Sequence, residues 1–158
     1  MDVFFIFGAK YLFVLSPFIL VYFFFKISSE KRKQILIFTC VSLPLTYLAG
    51  LLARELYFNP RPFVVGGFEP LIPHTPDNGF PSDHILLLSA LASLVLVYDK
   101  KFSITFWSIV LLVGLSRMYV GVHYFIDVLG SVLIALIFTL VAYAIIHKLW
   151  NKNNQASF

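Results

Sequence analysis

Charged residues are scarce in this sequence, and their scarcity excludes an ordinary soluble domain. Lys, Arg, Asp and Glu make up 13% of the 158 residues, whereas hydrophobic residues make up 59%. A soluble domain of this size carries about 25% charged residues. The composition therefore indicates a protein whose solvent is lipid, and the length favours a single domain.

Three further features are rare or missing. Only one cysteine is present, Cys40, which excludes an intrachain disulfide bond. The first apolar stretch lacks the basic flank and the small-residue cleavage site of a secretion signal, so we interpret it as a retained span. Histidine and cysteine pairs with metal-ligand spacing are lacking, and the acids Glu69, Asp77 and Asp83 form no dense cluster. We therefore predict no metal and no other cofactor.

Long apolar runs dominate what remains. About 20 apolar residues cross the roughly 30 Å of bilayer hydrocarbon, and five segments reach or approach that length if the third begins at Ser82. We predict an all-α integral membrane protein with one membrane-embedded domain over residues 1–158 and a bundle of about five transmembrane helices. The predicted spans cover residues 3–25, 35–55, 82–98, 102–120 and 124–147, and the polar tail 151–158 is expected to be loose.

The connection between the second and third predicted spans is rich in proline and glycine. Five prolines and three glycines between Asn59 and Phe80 rule out a long helix. A connection of this length in a compact domain is usually functional or disordered. Because it joins two polar clusters, we expect an ordered outer loop at the mouth of a site. Its His74 and Asp77 are candidates for contact with a substrate head group, or for ordinary hydrogen bonds within the loop.

The basic residues indicate the topology. Eight of the twelve fall in three short segments that five spans would place on one side of the membrane. The positive-inside rule makes that side cytoplasmic, so we expect the N-terminus outside and the C-terminus inside. The same distribution argues against a nucleic-acid partner, since the net charge of +4 comes from these topology-setting segments. Arg54, Arg61 and Arg117 oppose the bias and fall on the predicted outer side, each within a polar cluster.

One cluster consists of Ser116-Arg117, His123 and Asp127. If the start of the fifth span is helical, residues four apart share a face, so Asp127 can hold one ring nitrogen of His123. The other nitrogen is then free to act as a nucleophile, as in acyl-transfer triads. The alternative is an interfacial histidine paired locally with an acid. Ionisable groups at membrane depth favour the functional interpretation.

A second cluster, Pro81-Ser82-Asp83-His84, begins the third span. Proline, serine and aspartate are common at helix starts, and a helix N-terminus offers free N–H groups to an anion. His84 would stand beside that anion as a general acid. The alternative is that Ser82 and Asp83 are caps only and His84 is an interfacial ring.

The third cluster supplies cations. Arg61 lies between two prolines on a stiff segment, and Arg54 lies near the end of the second span. The planar fork of an arginine matches a phosphate, and such groups can neutralise a transferring phosphoryl group. For Arg54 the alternative is that its side chain extends to the membrane interface.

With its three clusters in order, the chain resembles the type 2 phosphatidic acid phosphatase superfamily. The pattern of that family is Lys-x6-Arg-Pro, then Pro-Ser-Gly-His, then Ser-Arg-x5-His-x3-Asp. The resemblance covers roughly residues 3–144 and keeps every spacing. Arg54 replaces the usual lysine and Asp83 replaces the glycine. Members commonly have six membrane helices, whereas we predict five here, and the missing one would be N-terminal.

The resemblance implies a site and a chemistry. His123 would be the phosphate-accepting nucleophile, Asp127 its orienting acid and His84 the general acid. The implied phosphate ligands are Arg54, Arg61, Ser82 and Arg117. To these we add Asp83, which replaces the glycine of the family pattern, as a predicted member of the phosphate-binding set.

The sequence around Asp83 and residues 57–63 is similar to the bacterial undecaprenyl-diphosphate phosphatases of that superfamily, the bacitracin-resistance type. We therefore expect a metal-independent hydrolase in the bacterial cytoplasmic membrane, with its site on the outer face and a polyprenyl or other lipid phosphate as substrate. The first alternative is the same chemistry on phosphatidylglycerophosphate, phosphatidic acid or a lipid A phosphate. A remoter one is a small anion transporter.

Overall fold

Seven α-helices and one 3₁₀ turn make up the regular structure of the described residues. The computed structural model describes the backbone of residues 1–155 and the side-chain surroundings of residues 1–148. Every regular element in this part of the chain is helical, so the predicted all-α fold is confirmed. The helices are α1 (Asp2–Lys10), a 3₁₀ turn (Leu12–Val14), α2 (Leu15–Lys26), α3 (Ser29–Leu56), α4 (Pro62–Gly66), α5 (Asp83–Tyr98), α6 (Lys100–Tyr119) and α7 (Phe125–Gln155).

Four segments of the described chain are long and apolar enough to cross a membrane. They are Asp2–Lys26, Ser29–Leu56, Lys100–Tyr119 and Phe125–Lys148. The remaining predicted span is α5, which has 16 residues. At a rise of 1.5 Å per residue it measures about 24 Å, which is shorter than the hydrocarbon layer. The chain is thus an integral membrane bundle with four full-length spans and one shorter apolar helix.

The first span is not the continuous helix that the sequence predicted. α1 ends at Lys10, a 3₁₀ turn follows, and α2 starts at Leu15. Pro17 explains the break, because it has no backbone N–H and its ring displaces the carbonyl of the residue four positions earlier, Phe13. The break leaves the carbonyl of Ala9 available to a side chain from α6.

The last helix is longer than predicted. α7 reaches Gln155, so it extends into the segment 151–158, for which the sequence predicts a loose tail. The remaining residues of that tail, 156–158, lie outside those the structure describes.

α5 forms the centre of the bundle. It packs against α3, α6 and α7, and Leu88, Leu94 and Val95 in its middle are fully buried. Phe23 and Phe106 join this core from α2 and α6. Most of α5 is covered by its neighbours, and only Leu87 and Leu96 among its large apolar residues are exposed. Its short length is therefore accommodated largely by protein neighbours. The site at its N-terminus is consequently held by a rigid core.

Large apolar side chains also cover the outside of the bundle. Phe18, Leu48, Leu111 and Leu140 expose more than half of their surface. In water such a surface would be an aggregation hazard, whereas in a bilayer it faces the acyl chains. The exposed residues therefore mark the lipid-facing perimeter.

The proline-rich connection between α3 and α5 is folded back onto one end of the bundle, which we call the loop end. Pro60 and Asn78 form an isolated bridge that brings the two halves of the loop together. The backbone N–H of Leu71 donates to the carbonyl of Val120 at 3.1 Å, and the adjacent Ile72 is buried. The loop is thus ordered, as expected, and covers the ends of the helices.

Candidate active site

His123 lies in the tight turn between α6 and α7, at the loop end. Gly121 makes that turn with a φ of 82°, a conformation that favours glycine. His123 precedes the first residue of α7, Phe125. Its Nδ1 lies 3.4 Å from Oδ2 of Asp127. The two side chains predicted to pair therefore do meet, although through a turn followed by a helix and not on one helical face.

Asp127 is fully buried, and its carboxylate is held by several donors. Oδ2 accepts the backbone N–H of Tyr124 at 2.8 Å. Oδ1 accepts the side-chain N–H of Asn59 at 2.7 Å. A buried carboxylate is tolerated only when it is hydrogen-bonded in this way. The donors fix the orientation of Asp127 toward His123.

The second ring nitrogen of His123 faces two cations. Nε2 lies 3.4 Å from Nη1 of Arg61 and 3.3 Å from Nη2 of Arg117. Guanidinium groups can only donate, so we assign the acceptor role to Nε2 and the ring proton to Nδ1, next to Asp127. Burial lowers the pKa of His123 to about 4; the hydrogen bond with Asp127 opposes this shift, and the two arginines add to it. The ring is therefore neutral at neutral pH, with its lone pair directed at the arginines.

Arg61 is almost fully buried, with 6% of its surface exposed. It caps the N-terminus of α4, where Pro62 is the first helical residue. Its Nε donates to Oδ1 of Asp77 at 2.7 Å, and its Nη1 donates to the carbonyl of Val122 at 2.9 Å. Partners on two different segments thus fix the plane of the guanidinium beside His123.

Arg117 occupies the last turn of α6 and is also buried. Its Nη1 donates to the carbonyl of Ala9, which the break in the first span has released, at 3.3 Å. Its Nη2 lies 3.1 Å from Nε2 of His74. The N-terminal segment and the proline-rich loop therefore both hold this arginine in place.

Ser82 stands immediately before α5 and presents an unused hydroxyl. Its residue is fully buried, and its Oγ has no hydrogen-bond partner within the described residues. The hydroxyl does not cap the helix, so it is available to a ligand. The first N–H groups of α5 have no intrahelical partner and carry the positive end of the helix dipole. This end of α5 is suited to an anion.

His84 lies in the first turn of α5, on the same site. Its ring packs edge-on against Phe13, with ring centroids 4.5 Å apart. It stands at the loop end of α5, two residues after Ser82. That His84 and His123 act on one phosphate stays a prediction.

Arg54 and Asp83 bind each other. Nη2 of Arg54 lies 2.6 Å from Oδ1 of Asp83, and the two side chains expose 33% and 64% of their surface. They form the open edge of the cluster, whereas Arg61, Arg117 and Ser82 form its buried floor. Asp83 therefore reaches the site through a cation and not as an isolated carboxylate.

Four residues of the loop end support the site. Asn59 contacts Asp127, and His74 and Asp77 contact arginines, as described above. Asn78 accepts the backbone N–H of Asn59 at 2.9 Å. The sequence marks His74 and Asp77 as candidates for contact with a head group or for hydrogen bonds within the loop. For Asn59 and Asn78, only their place in the long proline-rich loop pointed to a role.

The arrangement combines a neutral imidazole, two buried guanidiniums, a free hydroxyl and a helix N-terminus. Such a set can bind a phosphate and expose its phosphorus atom to Nε2 of His123. Among residues 1–148, no group of three or more His, Cys, Asp or Glu side chains could hold a metal ion. That the chemistry needs no metal stays a prediction.

Known proteins share this sequence pattern. Residues 35–151 match the PAP2 superfamily. The undecaprenyl-diphosphatase BcrC of Bacillus subtilis (strain 168) is 39% identical over 117 residues, which are 70% of this chain and 56% of that protein. The bacitracin transport permease protein BcrC of Bacillus licheniformis is 28% identical over 116 residues, 73% of this chain and 57% of that protein. The chain spans little more than half the length of these curated relatives.

The fold is shared as well. The crystal structure of Aquifex aeolicus LpxE superposes with a TM-score of 0.73 and 23% sequence identity, covering 90% of this chain and 85% of that one. The resemblance read from the three motifs is thereby confirmed. Because the family match extends over most of the chain and includes every predicted catalytic residue, the chain belongs to the PAP2 superfamily.

Proposed function

We propose that this protein is a membrane lipid phosphatase that hydrolyses undecaprenyl diphosphate to undecaprenyl phosphate and inorganic phosphate. The observation that carries the proposal is the environment of His123. One ring nitrogen is held by a buried carboxylate, and the other faces two buried arginines. A neutral imidazole aimed at an anion site is what attack on phosphorus requires.

In the first step, Nε2 of His123 attacks the terminal phosphorus of the diphosphate. A P–N bond forms, and the bond from phosphorus to the bridging oxygen breaks. His84 donates its proton to that oxygen, so undecaprenyl phosphate leaves. The bound phosphate dianion favours the protonated form of His84 before the step. Asp127 stabilises the positive charge that develops on the ring of His123.

In the second step, water attacks the phosphohistidine. His84, now neutral, takes a proton from the water, and the P–N bond breaks to return His123 and inorganic phosphate. Arg61 and Arg117 balance the charge on the phosphoryl oxygens in both steps, assisted by the hydroxyl of Ser82. A general acid and base of this kind typically contributes about 10²- to 10⁴-fold to the rate.

The substrate class follows from the position of the cluster and from the relatives. Buried phosphate ligands lie at one end of a lipid-facing bundle, so a lipid can leave its tail in the bilayer while its head group binds. The relative from Bacillus subtilis carries the name undecaprenyl-diphosphatase. Asp83, paired with Arg54, adds an ion pair at the edge where the second phosphate of a diphosphate would lie.

We assign the protein to the bacterial cytoplasmic membrane as a multi-pass protein. The lysine-rich connections between α2 and α3 and between α5 and α6 lie opposite the loop end. The positive-inside rule then places the loop end and the site outside, with the N-terminus outside and the C-terminus inside. This orientation suits an enzyme that recycles a carrier of cell-wall precursors.

Two alternatives compete. The same residues could hydrolyse phosphatidylglycerophosphate, phosphatidic acid or a lipid A phosphate, since the phosphate-binding set does not distinguish their head groups. A transporter is the other, because the relative from Bacillus licheniformis is named a transport permease. Against transport, the cations collect at one end of the bundle and not at the bilayer midplane, where transport sites typically lie.

One assay separates these alternatives. Purified protein in detergent with excess chelator receives undecaprenyl diphosphate, phosphatidylglycerophosphate or phosphatidic acid, and released phosphate is measured. We expect the highest kcat/KM on the diphosphate and no turnover by His123→Ala. With terminally labelled substrate and rapid quenching, His84→Ala should still form some phosphoenzyme.

The opposite results have clear meanings. A higher kcat/KM on a lipid monophosphate would show that this lipid, and not undecaprenyl diphosphate, is the preferred substrate. A strict requirement for a divalent ion would contradict the phosphohistidine mechanism as written. Absence of hydrolysis together with anion flux in sealed proteoliposomes would replace the phosphatase with a transporter.

A further inference from the structure

One short segment of the proline-rich loop contacts both buried arginines. His74 meets Nη2 of Arg117 through its Nε2 at 3.1 Å. Asp77 accepts the Nε–H of Arg61 through its Oδ1 at 2.7 Å. The two arginines come from different elements, the start of α4 and the end of α6. Besides His123, whose Nε2 faces both guanidinium groups, this loop segment contacts each of them.

The same segment also reaches the orienting acid. Oδ1 of Asn78 accepts the backbone N–H of Asn59 at 2.9 Å, and the side chain of Asn59 donates to Asp127 at 2.7 Å. Residues 74–78 thus contact both cations of the anion site directly and its carboxylate indirectly, through Asn59.

Residues 74–78 are themselves firmly fixed. The hydroxyl of Thr75 donates to Oδ2 of Asp77 at 2.9 Å. The side-chain N–H groups of Asn78 donate to the carbonyls of Arg54 and Tyr57 at 3.0 and 2.9 Å. These bonds tie the segment to the end of α3, so it can act as a rigid reference for the groups that it touches.

We propose that residues 74–78 are a positioning segment, in which His74 and Asp77 aim Arg117 and Arg61 at the phosphoryl group bound beside His123. The inference rests on the proposed function only in taking that group as the ligand. His74 and Asp77 do not react; they act through the arginines.

The geometry explains why positioning is needed. An arginine has five N–H donors and a long flexible stem. The Nε of Arg61 is taken by Asp77 and the Nη1 by Val122, while Arg117 is held by Ala9 and His74. Bonds on these sides prevent rotation of each guanidinium, so the entropy cost of orienting it is not incurred when substrate binds.

His74 must be neutral for this role. An arginine N–H can only donate, so Nε2 of His74 has to be an unprotonated acceptor. Burial lowers the pKa of His74 below its usual value, and the charges of Arg61 and Arg117 add to the effect, with Asp77 opposing it. The ring of His123, 6.2 Å away, is the other titratable group that faces it from the α6–α7 turn. At neutral pH His74 is therefore an acceptor.

Asp77 must be ionised. Partial burial acts to raise the pKa of Asp77, but the hydrogen bonds from Arg61 and Thr75 outweigh it and lower that pKa below its usual value. A carboxylate then faces Arg61 through a charge-assisted hydrogen bond, which is shorter and stronger than a neutral one.

The test measures anion binding and turnover separately. Binding of orthovanadate, whose five-coordinate adduct resembles the transferring phosphoryl group, is titrated by ⁵¹V NMR on the purified protein in detergent. His74→Ala and Asp77→Ala should each weaken vanadate binding about tenfold, since a hydrogen bond to a charged group is worth roughly that factor. His74→Gln keeps a neutral acceptor and should restore most of the affinity. Glu69→Gln, an exposed carboxyl in the same loop, is the matched control and should change nothing.

A double-mutant cycle tests that His74 acts through Arg117. His74→Ala should lower kcat about tenfold in the wild-type background and less than twofold in the Arg117→Lys background. Equal losses in both backgrounds, with matching losses of thermal stability, would make His74 merely structural. If His74→Ala does not fold, the same cycle is carried out on the contact between Asp77 and Arg61. Asp77→Ala and Asp77→Asn are then each measured in the wild-type and the Arg61→Lys backgrounds.

The outcomes also separate this inference from the proposed function. Vanadate affinity that is unchanged in both alanine variants, while wild-type protein hydrolyses the lipid, would overturn the positioning role alone. Affinity that depends on His74 and Asp77 in a protein that hydrolyses no lipid phosphate would overturn the proposed function alone. A wild-type protein that binds no vanadate would also overturn the positioning role, because the arginines would then bind no phosphate-like anion.

Discussion

Phe13 stands edge-on to the imidazole of His84, with ring centroids 4.5 Å apart and ring planes at 77°. Phe13 belongs to the 3₁₀ turn that Pro17 imposes on the first span. The break in that span therefore does two things at the site: it provides an apolar wall for His84, and it frees the Ala9 carbonyl for Arg117. The N-terminal segment therefore contacts the candidate site through both Phe13 and Ala9.

Removing the aromatic wall should slow the reaction without unfolding the protein. An edge-to-face aromatic contact is worth about 0.5–1.5 kcal/mol, so we expect Phe13→Ala to lower kcat roughly two- to tenfold. Phe18→Ala, on the lipid-facing side of the same segment, is the control and should leave kcat unchanged. Steady-state phosphate release measures both. Equal kcat for the two variants would show that Phe13 does not orient His84.

The pH dependence should reflect His123. Burial holds its pKa at about 4, so the ring is neutral well below neutral pH. As the pH falls through that value, the ring gains a proton and loses the lone pair that the proposed mechanism requires for attack on phosphorus. We expect kcat/KM to stay free of an acid limb near 6.5 and to fall only toward pH 4. An acid limb at the ordinary histidine value would contradict this environment.

The carboxylate beside His123 gives a second, related expectation. Asp127→Asn keeps the size of the side chain but removes the charge that stabilises the developing imidazolium. In the serine triad this change costs about 10⁴-fold in kcat, and we expect a loss of similar order here with little change in KM. Rapid quenching should show that phosphoenzyme formation, and not its hydrolysis, is slowed. A variant that keeps wild-type burst kinetics would remove Asp127 from the mechanism.

The partly exposed Arg54 and the buried Arg61, each paired with an exposed carboxylate, should respond differently to mutation. Arg54 and Asp83 are partly exposed, and such pairs contribute about 0–1 kcal/mol to stability, so Arg54→Ala should barely change the thermal midpoint and mainly raise KM. Arg61→Ala leaves Asp77 without its partner and empties a buried site, so both kcat and the thermal midpoint should drop. Thermal melts of the two purified variants, paired with kinetics, make the comparison. Similar stability losses would show that burial does not separate the pairs.

A methyl group at Gly79 should disturb the site by pressing on Asp127. A Cβ there would lie 3.0 Å from Oδ2 of Asp127 and 3.1 Å from the carbonyl oxygen of Asn59. Both atoms are fixed by hydrogen bonds, so Gly79→Ala should displace Asp127 and lower kcat at least about tenfold. Gly67→Asn is the control, because nothing lies within 4 Å of a Cβ there and asparagine tolerates its positive φ. Full activity of Gly79→Ala would mean that the carboxylate has room to move.

The sequence predicted the catalytic cluster because its groups lie where helices begin and end. The spacing from Arg117 to His123 and Asp127 spans one turn between two helices, and Ser82 and His84 start a third. Helix ends in a membrane bundle meet at two surfaces only, so residues at the ends of neighbouring spans have few places to lie. The all-α fold could be predicted because apolar runs long enough to span a membrane are typical of transmembrane helices.

The supporting contacts could not be predicted in this way. Asn59 and Asp127 are separated by 68 positions, and His74 and Arg117 by 43. The path of an irregular loop determines both contacts, and no periodicity reports that path. The same holds for Arg54: the acid that binds it is Asp83, 29 positions away, and not its sequence neighbour Glu55.

The pairing of charges around the site should affect how readily a phosphate ion is released from it. Arg54, Arg61 and His123 each have a carboxylate within 4 Å, in Asp83, Asp77 and Asp127. Within the described residues, the partners of Arg117 are a backbone carbonyl and two imidazoles. A free phosphate ion therefore meets roughly one uncompensated positive charge and not three. We expect the ion to escape readily, so that accumulated product inhibits turnover only weakly.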